Sequence, residues 1–381
     1  MNICYLISNI EPSIGGTERV TISVSKNLSN LGYHSFFIFT QADNPSIPKE
    51  NKLKIKYDYS LESLKKSVTN FIEKKSIKVL IVVNRVFQTN KYQKLFKYLK
   101  EKTTVNIIAS LHAAPDNWFN KDVWGTVLPK VYVKNKIKSW MLKLSNPHIK
   151  RVQGTYSVVD KYLLLSKSYI EQFKRIYHTD DNGGKLIAIP NPFPFKDTNL
   201  NSVKEKIVLI VSRMQEDQKR IYASIKIWQQ ISSRHPDWKL LIVGDGPDLC
   251  IYKNKSKHMS NITFIGHSNN VQDYYRRSDF FLMTSIWEGL PMTLIEAMHY
   301  GCIPIAFDNF AALHDLIDNE KTGYIIPNNN IQSFANCLER LMSDESLAKH
   351  IRQNILNIPN TFEMKNIISI WDVELKKMSK I

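Results

Sequence analysis

The feature that most constrains this chain is an alternation. Short apolar runs rich in β-branched and aromatic residues occupy 3–7, 35–40, 79–83 and 105–111, then 207–212, 240–243, 262–265, 280–284 and 303–307, with longer helical patterns between them. Strands that alternate with helices imply parallel sheets with crossover helices. Between the two sets stand Pro190, Pro192 and Pro194, followed by a polar stretch to about Glu205. A helix or central strand cannot continue through them. The reading is α/β: two doubly wound Rossmann-like domains, 1–190 and 206–361, joined by a linker at 191–205 and facing each other across a cleft. From Thr361 onward Ile367, Ile368, Ile370, Trp371, Val373 and Leu375 mark an apolar helical face. A helix over 362–381 is therefore expected to pack back on the first domain.

A chain of 381 residues with 43% hydrophobic residues, 13 Gly and 15 Pro can bury two cores and is not a low-complexity or disordered polymer. Cys4, Cys250, Cys302 and Cys337 form no C-x-x-C pair, so local spacing builds neither a zinc ribbon nor a redox motif. No D-x-D triplet occurs, and no metal is expected. The start MNICYLISNI reads as a buried strand, without a basic region before its apolar residues, and no run of about 18 uncharged apolar residues exists. A cytoplasmic protein, peripheral on the inner face of the cytoplasmic membrane, is expected.

The net charge of +17 is unevenly held. Residues 1–200 contain 31 Lys and Arg against 15 Asp and Glu, whereas residues 201–381 contain 21 against 20. The densest stretch, 52–100, interleaves 13 Lys and Arg with Tyr57, Tyr59, Phe71, Phe87, Tyr92, Phe96 and Tyr98. Such a surface attracts anionic lipid, a phosphorylated substrate or nucleic acid, or is a solvated lysine face. The run is poor in Arg and shows no nucleic-acid module, so nucleic acid is not expected as a partner.

In open parallel sheets ligands sit beyond the carboxyl ends of the strands, so chemistry is sought in the loops there. After the first run, Gly15 and Gly16 precede a helical pattern, where backbone can approach an anion closely. After 207–212, Arg213 and Lys219 can converge on one diphosphate, and Gly244 opens the turn after 240–243. In SIWEGLPMTLIEAMHYG, Pro291 fits the first position of a helix and Gly301 its stop, which leaves Glu288 in the preceding loop and Glu296 within the helix. Free amides near 292–294 suit phosphate, and the flanking carboxylates suit sugar hydroxyls.

The segment from Glu288 to Glu296, an E-x7-E pattern with an EGLP core, resembles the signature of glycosyltransferase family 4: retaining enzymes of the GT-B fold that take sugars from nucleotide donors. The Gly15-Gly16-Thr17-Glu18-Arg19 loop, Ser212-Arg213 with Lys219, the turn 243–247, Phe264-Ile265-Gly266 and the stretch 274–281 resemble further family motifs in the expected order. The resemblance implies that Arg213 and Lys219 neutralise the donor diphosphate and that Glu288 contacts the transferred sugar. Amides of Gly289, Leu290, Pro291's neighbours Met292 and Thr293 assist it, and Glu296 holds the ribose hydroxyls. It further implies that Gly16 lets backbone close over the diphosphate, that Gly266 and His267 line the nucleobase pocket, and that His112 contacts the donor sugar. Two departures stand out: Arg213 and Lys219 are six residues apart rather than five, leaving Arg220 as a competing ligand, and Asn191 sits in an Ile-Pro-Asn-Pro-Phe linker in place of Val-x-Asn-Gly. The expected activity is retaining transfer from a UDP-sugar to a glycan or lipid-linked acceptor in cell-surface polysaccharide assembly, without metal or cofactor. A nucleotide-sugar epimerase of the same fold and a non-enzymatic basic surface binder are the alternatives.

Overall fold

The structure is a computed structural model and describes residues 1–116, 125–145, 147–181, 183–194, 203–356 and 361–379. It contains two compact units, one of Met1–Pro115, Asn146–Pro194 and Asn360–Ile381, the other of Asp116–Ser145 and Phe195–Pro359. The stretch expected as an unbroken 1–190 domain is thus interrupted, because residues 116–145 cluster with the second unit. Of the expected linker at 191–205, residues 195–202 lie outside the described residues.

The first unit is built on seven parallel strands: β1 (Asn2–Ile7), β2 (His34–Phe39), β3 (Lys52–Lys54), β4 (Val79–Val82), β5 (Asn106–Leu111), β6 (Lys161–Leu164) and β7 (Leu186–Ala188). Their order is β3-β2-β1-β4-β5-β6-β7. Helices cover both faces of such a sheet, so the central strands are wholly apolar: Val79 to Val82 are all buried. The C-terminal helix Met364–Ser379 clusters with this unit and touches the helix Gly16–Ser29. Ile367, Trp371, Leu375 and Met378 face inward at helical spacing, each contributing about 1.5–3 kcal/mol of apolar burial. Tyr33 donates to Asp372 Oδ1 at 2.7 Å, and Asn106 donates to the Met378 carbonyl at 2.9 Å. Ile370 and Val373, expected on the apolar face, are instead 38% and 49% exposed, because they fall on the opposite side of the helix.

The lysine-rich stretch folds into the neighbouring helices Leu61–Lys74 and Asn90–Lys102. Its aromatics Phe87, Tyr92 and Phe96 point into the core, while Tyr57 stays exposed. The interleaving read from the sequence is therefore amphipathic helix packing with a lysine outer face, not an array of stacking platforms.

The second unit carries six parallel strands, β8 (Ile207–Val211), β9 (Lys239–Val243), β10 (Ile262–Gly266), β11 (Phe280–Met283), β12 (Ile303–Phe307) and β13 (Tyr324–Ile326), in the order β10-β9-β8-β11-β12-β13. The chain leaves β8 toward β9 and returns to β11 on its other side. Connections from β8 and β11 thus depart to opposite faces, opening a crevice where the loops after them meet.

Candidate active site

The loop after β8 spans Ser212 to Arg220, and the loop after β11 spans Thr284 to Pro291. Their meeting is built from several bonds. Ile286 N–H donates to the Gln218 carbonyl at 2.7 Å, Gln218 Nε2 donates to the Trp287 carbonyl at 3.2 Å, and Thr284 Oγ1 donates to the carbonyls of Lys219 and Arg220 at 3.2 and 2.9 Å. This frame delivers Lys219 Nζ to 2.7 Å from Glu288 Oε1. Glu288 is 7% exposed, so its carboxylate has lost most of its water and the lysine ammonium replaces it. Both line a small pocket with Ser212, Ser285 and Thr293.

Arg213 leaves β8 exposed, with no side-chain ion pair among the described residues. Arg220, which sequence reasoning left as a rival ligand, is wholly buried and unavailable. Its Nε donates to the Thr284 carbonyl at 2.9 Å and its Nη1 to Thr126 Oγ1, Asn328 Oδ1 and Asn329 Oδ1 at 3.3, 3.1 and 3.0 Å. The guanidinium lies over the Phe307 ring at 4.5 Å. Its backbone is left-handed, at φ 51°, where the short helix Glu216–Lys219 gives way to the helix Ile221–Ile231.

Gly244, read from the sequence as a turn for close ligand approach, is packed against protein backbone. A Cβ there would stand 2.0 Å from the Ser212 carbonyl oxygen, and one on Gly246 would stand 2.5 Å from that of Met214. These glycines let the turn after β9 pack against the Arg213 loop. Gly266 ends β10, and His267 beyond it is exposed.

Pro291 caps the helix Met292–His299 and leaves Glu288 in the loop and Glu296 in the helix. The amides of Met292 and Leu294 already donate to the carbonyls of Leu290 and Pro291 at 2.9 and 3.0 Å. The free amides expected at 292–294 thus reduce to that of Thr293, next to the half-exposed Gly289 and the buried Leu290. Glu296 accepts from the buried Tyr275 hydroxyl at 2.9 Å, a bond that fixes its carboxylate.

In the first unit, Gly15 is the extended N-cap of the helix Gly16–Ser29, and Gly16 is exposed. His112 follows β5 and lines a small pocket with Tyr5, Thr21, Asn191 and Trp371. Among the described residues its buried Nδ1 has no hydrogen-bond partner, and burial pulls the imidazole down to about 4, so it is neutral at pH 7.

Glu216 is a buried group that sequence reasoning missed. Its Oε2 accepts from Tyr252 Oη at 2.7 Å and from the Tyr222 amide at 3.1 Å, and desolvation pushes it up to about 7. Between its unfolded value of about 4.5 and 7, the folded state binds more protons than the unfolded one, so stability falls as pH rises through that window. Glu216→Gln keeps an acceptor for Tyr252 and should flatten that decline. Melting temperatures measured from pH 5 to pH 8 check it, and an unchanged slope rules it out.

Residues 194–357 match the family model described as Glycosyl transferases group 1. Over that stretch the chain is similar to the group 1 glycosyltransferases. An uncharacterized glycosyltransferase of Haemophilus influenzae is 26% identical over 384 residues, covering 97% of this chain and 98% of its own. The amylovoran biosynthesis glycosyltransferase AmsD of Erwinia amylovora is 26% identical over 399 residues, again covering 97% and 98%. Among solved structures, the lipopolysaccharide outer core galactosyltransferase WaaB in its apo form aligns with a TM-score of 0.74 at 19% identity over 100% of both chains. Anabaena HepE in complex with UDP gives 0.71 at 15% identity over 99% of this chain and 100% of that one. The fold is GT-B.

Proposed function

We propose that this protein is a retaining, metal-independent glycosyltransferase of family 4 type, moving a sugar from a UDP-sugar to a glycan or lipid-linked acceptor in bacterial cell-surface polysaccharide assembly. The observation that carries the reading is the Lys219–Glu288 pair, held at 2.7 Å in a pocket at the carboxyl ends of β8 and β11. The anomeric carbon loses its bond to the diphosphate oxygen, the nucleoside diphosphate departs with the electron pair, and the acceptor oxygen bonds to that carbon as its proton passes to an oxygen of the departing diphosphate. Negative charge grows on the diphosphate. Lys219, with three N–H donors, meets it while keeping Glu288, and exposed Arg213 supplies a second cation without first breaking an ion pair. Glu288 receives a hydroxyl of the sugar, Glu296 the ribose, and neutral His112 serves as a hydrogen-bonding group rather than a cation. Gly15, Gly16, Gly266 and His267 complete the proposed donor set.

UDP is favoured because HepE was solved with UDP, and a polysaccharide acceptor because AmsD is an amylovoran biosynthesis enzyme. Basic residues in the N-terminal half suit a peripheral, cytoplasmic-face position near a lipid-linked acceptor, and among the described residues no helix is long and apolar enough to cross a membrane. A thermal-shift screen against UDP, GDP and ADP tests the reading, since a ligand of the native state at 100 times its Kd adds about 2.7 kcal/mol. UDP alone should raise the melting temperature, and Arg213→Ala should abolish the shift. A response to none of the three overturns the donor site, and loss of transfer in EDTA overturns metal independence.

A further inference from the structure

The helix Pro129–Ser145 carries a surface that lies outside the proposed donor set. It holds Lys130, Lys134, Lys136, Lys138 and Lys143 and neither Asp nor Glu. A helix of a globular unit ordinarily turns its apolar stripe inward. Here Val133, Ile137 and Trp140 are turned to solvent, 54%, 55% and 64% exposed. At about 100° per residue the three fall within about 60° of one another, so they form one stripe. Lys130 and Lys134 run along one edge of it and Lys136 along the other, the first two exposed and the third half-buried. Meanwhile the helix is fastened to the rest of its unit by Tyr132, away from the stripe, and by Lys134 at the stripe's edge. Tyr132 packs against the buried Val127 and Ile286, and Lys134 Nζ lies 4.0 Å from Asp217. The stripe is therefore outward on a helix that has already found its packing partner.

Two aliphatic side chains and a tryptophan edged by lysines suit a helix lying in the plane of an anionic bilayer surface. The aliphatic groups enter the acyl boundary, the indole stays at headgroup depth, and the ammonium groups reach lipid phosphates on either side. A nucleic acid would use the lysines but would have no use for Val133 and Ile137. A protein groove would use the stripe, yet a helix with five cations and no anion favours a uniformly anionic partner. We infer that the helix Pro129–Ser145 is the membrane-surface contact of this protein, taking anionic lipid headgroups at Lys130 and Lys136 and acyl chains along Val133, Ile137 and Trp140. The inference rests on the proposed function only for its purpose, which is to bring the enzyme to a lipid-linked acceptor. Its test needs no donor and no transfer.

The full chain is sedimented with vesicles of phosphatidylcholine alone and with vesicles containing phosphatidylglycerol. Binding should require phosphatidylglycerol and weaken with added salt. The triple variant Val133→Ser, Ile137→Ser and Trp140→Ser should bind at least about tenfold more weakly. Lys130→Ser with Lys136→Ser should lose most of the dependence on anionic lipid. Val133, Ile137, Trp140 and Lys130 are exposed and Lys136 is half-buried over the Tyr132 ring, so the melting temperatures of both variants should stay close to the wild-type value. In the wild type, tryptophan emission should shift to the blue on phosphatidylglycerol vesicles, and Trp140→Phe should remove that shift. Wild-type sedimentation with neither vesicle, or undiminished binding by the triple variant, overturns the inference. So does a concentration-dependent dimer that the triple variant abolishes while vesicle binding is absent, since the stripe would then serve a second copy of the chain. A failure in any of these arms leaves the UDP thermal shift intact, whereas failure of the donor site leaves vesicle binding intact.

Discussion

Lys219→Ala should lower sugar transfer by about 100- to 1,000-fold, the usual effect of removing one preorganised group from a site of developing negative charge. The substitution removes a cation that faces the pocket and leaves Glu288 with a nearly dry carboxylate that has lost the ammonium 2.7 Å away. Part of the loss should therefore appear as weaker donor binding, because an unbalanced carboxylate repels a diphosphate. Glu288→Gln separates the two effects. It preserves shape and an acceptor for Lys219 while removing the charge, so the donor should still bind and raise the melting temperature while turnover falls. The double variant should lose far less than the product of the two single losses, since each single change already breaks the pair. Steady-state rates with UDP-sugar, read beside thermal shifts with UDP, check this. Transfer within tenfold of wild type in Lys219→Ala would remove that residue from the reaction.

Glu288 and Lys219 were legible in the sequence because each stands at a fixed offset from strong punctuation. Pro291 and the apolar run of β11 bracket Glu288, and the run of β8 precedes Lys219. Alternation likewise revealed nine strands, whereas β3, β6, β7 and β13 escaped because three or four residues carry too little pattern to stand out from their surroundings. Residues 116–145 also escaped. Their assignment to the second unit depends on contacts such as Lys226 Nζ with the Gly125 carbonyl at 2.8 Å, a pairing across a hundred positions that local spacing does not encode. Gly244 was visible as a turn residue, but its actual neighbour, the Ser212 carbonyl, becomes apparent only when β8 and β9 are paired. Arg220 was misread for a similar reason. An arginine beside a clamp lysine looks like another clamp residue until the left-handed backbone is seen to turn its side chain into the core.

Arg220→Ala should destabilise the second unit by about 3–5 kcal/mol, the range for deleting one member of a buried charged network. Its guanidinium fastens the loop after β8 to Thr284 after β11, to Asn328 and Asn329 after β13, and to Thr126 from the 116–145 stretch. Three separate stretches of chain lose a common donor together, and three of their acceptors are side chains with little water to replace it. Arg220→Lys should rescue little, because one ammonium cannot reach the Thr284 carbonyl and the Asn pair while also lying flat on Phe307. Arg220→Gly should be less harmful than Arg220→Ala by about 1 kcal/mol, since φ 51° strains any residue with a Cβ. The same loss should be visible in Glu216. Arg220 draws that carboxyl downward against the upward push of burial. Without the arginine its titration moves above 7, and the decline of stability with pH extends to more alkaline conditions. Urea midpoints at pH 6 and pH 8 for the wild type, the three Arg220 variants and Arg220→Ala with Glu216→Gln measure both effects. An Arg220→Ala midpoint within about 1 kcal/mol of wild type would mean that these stretches hold one another without it.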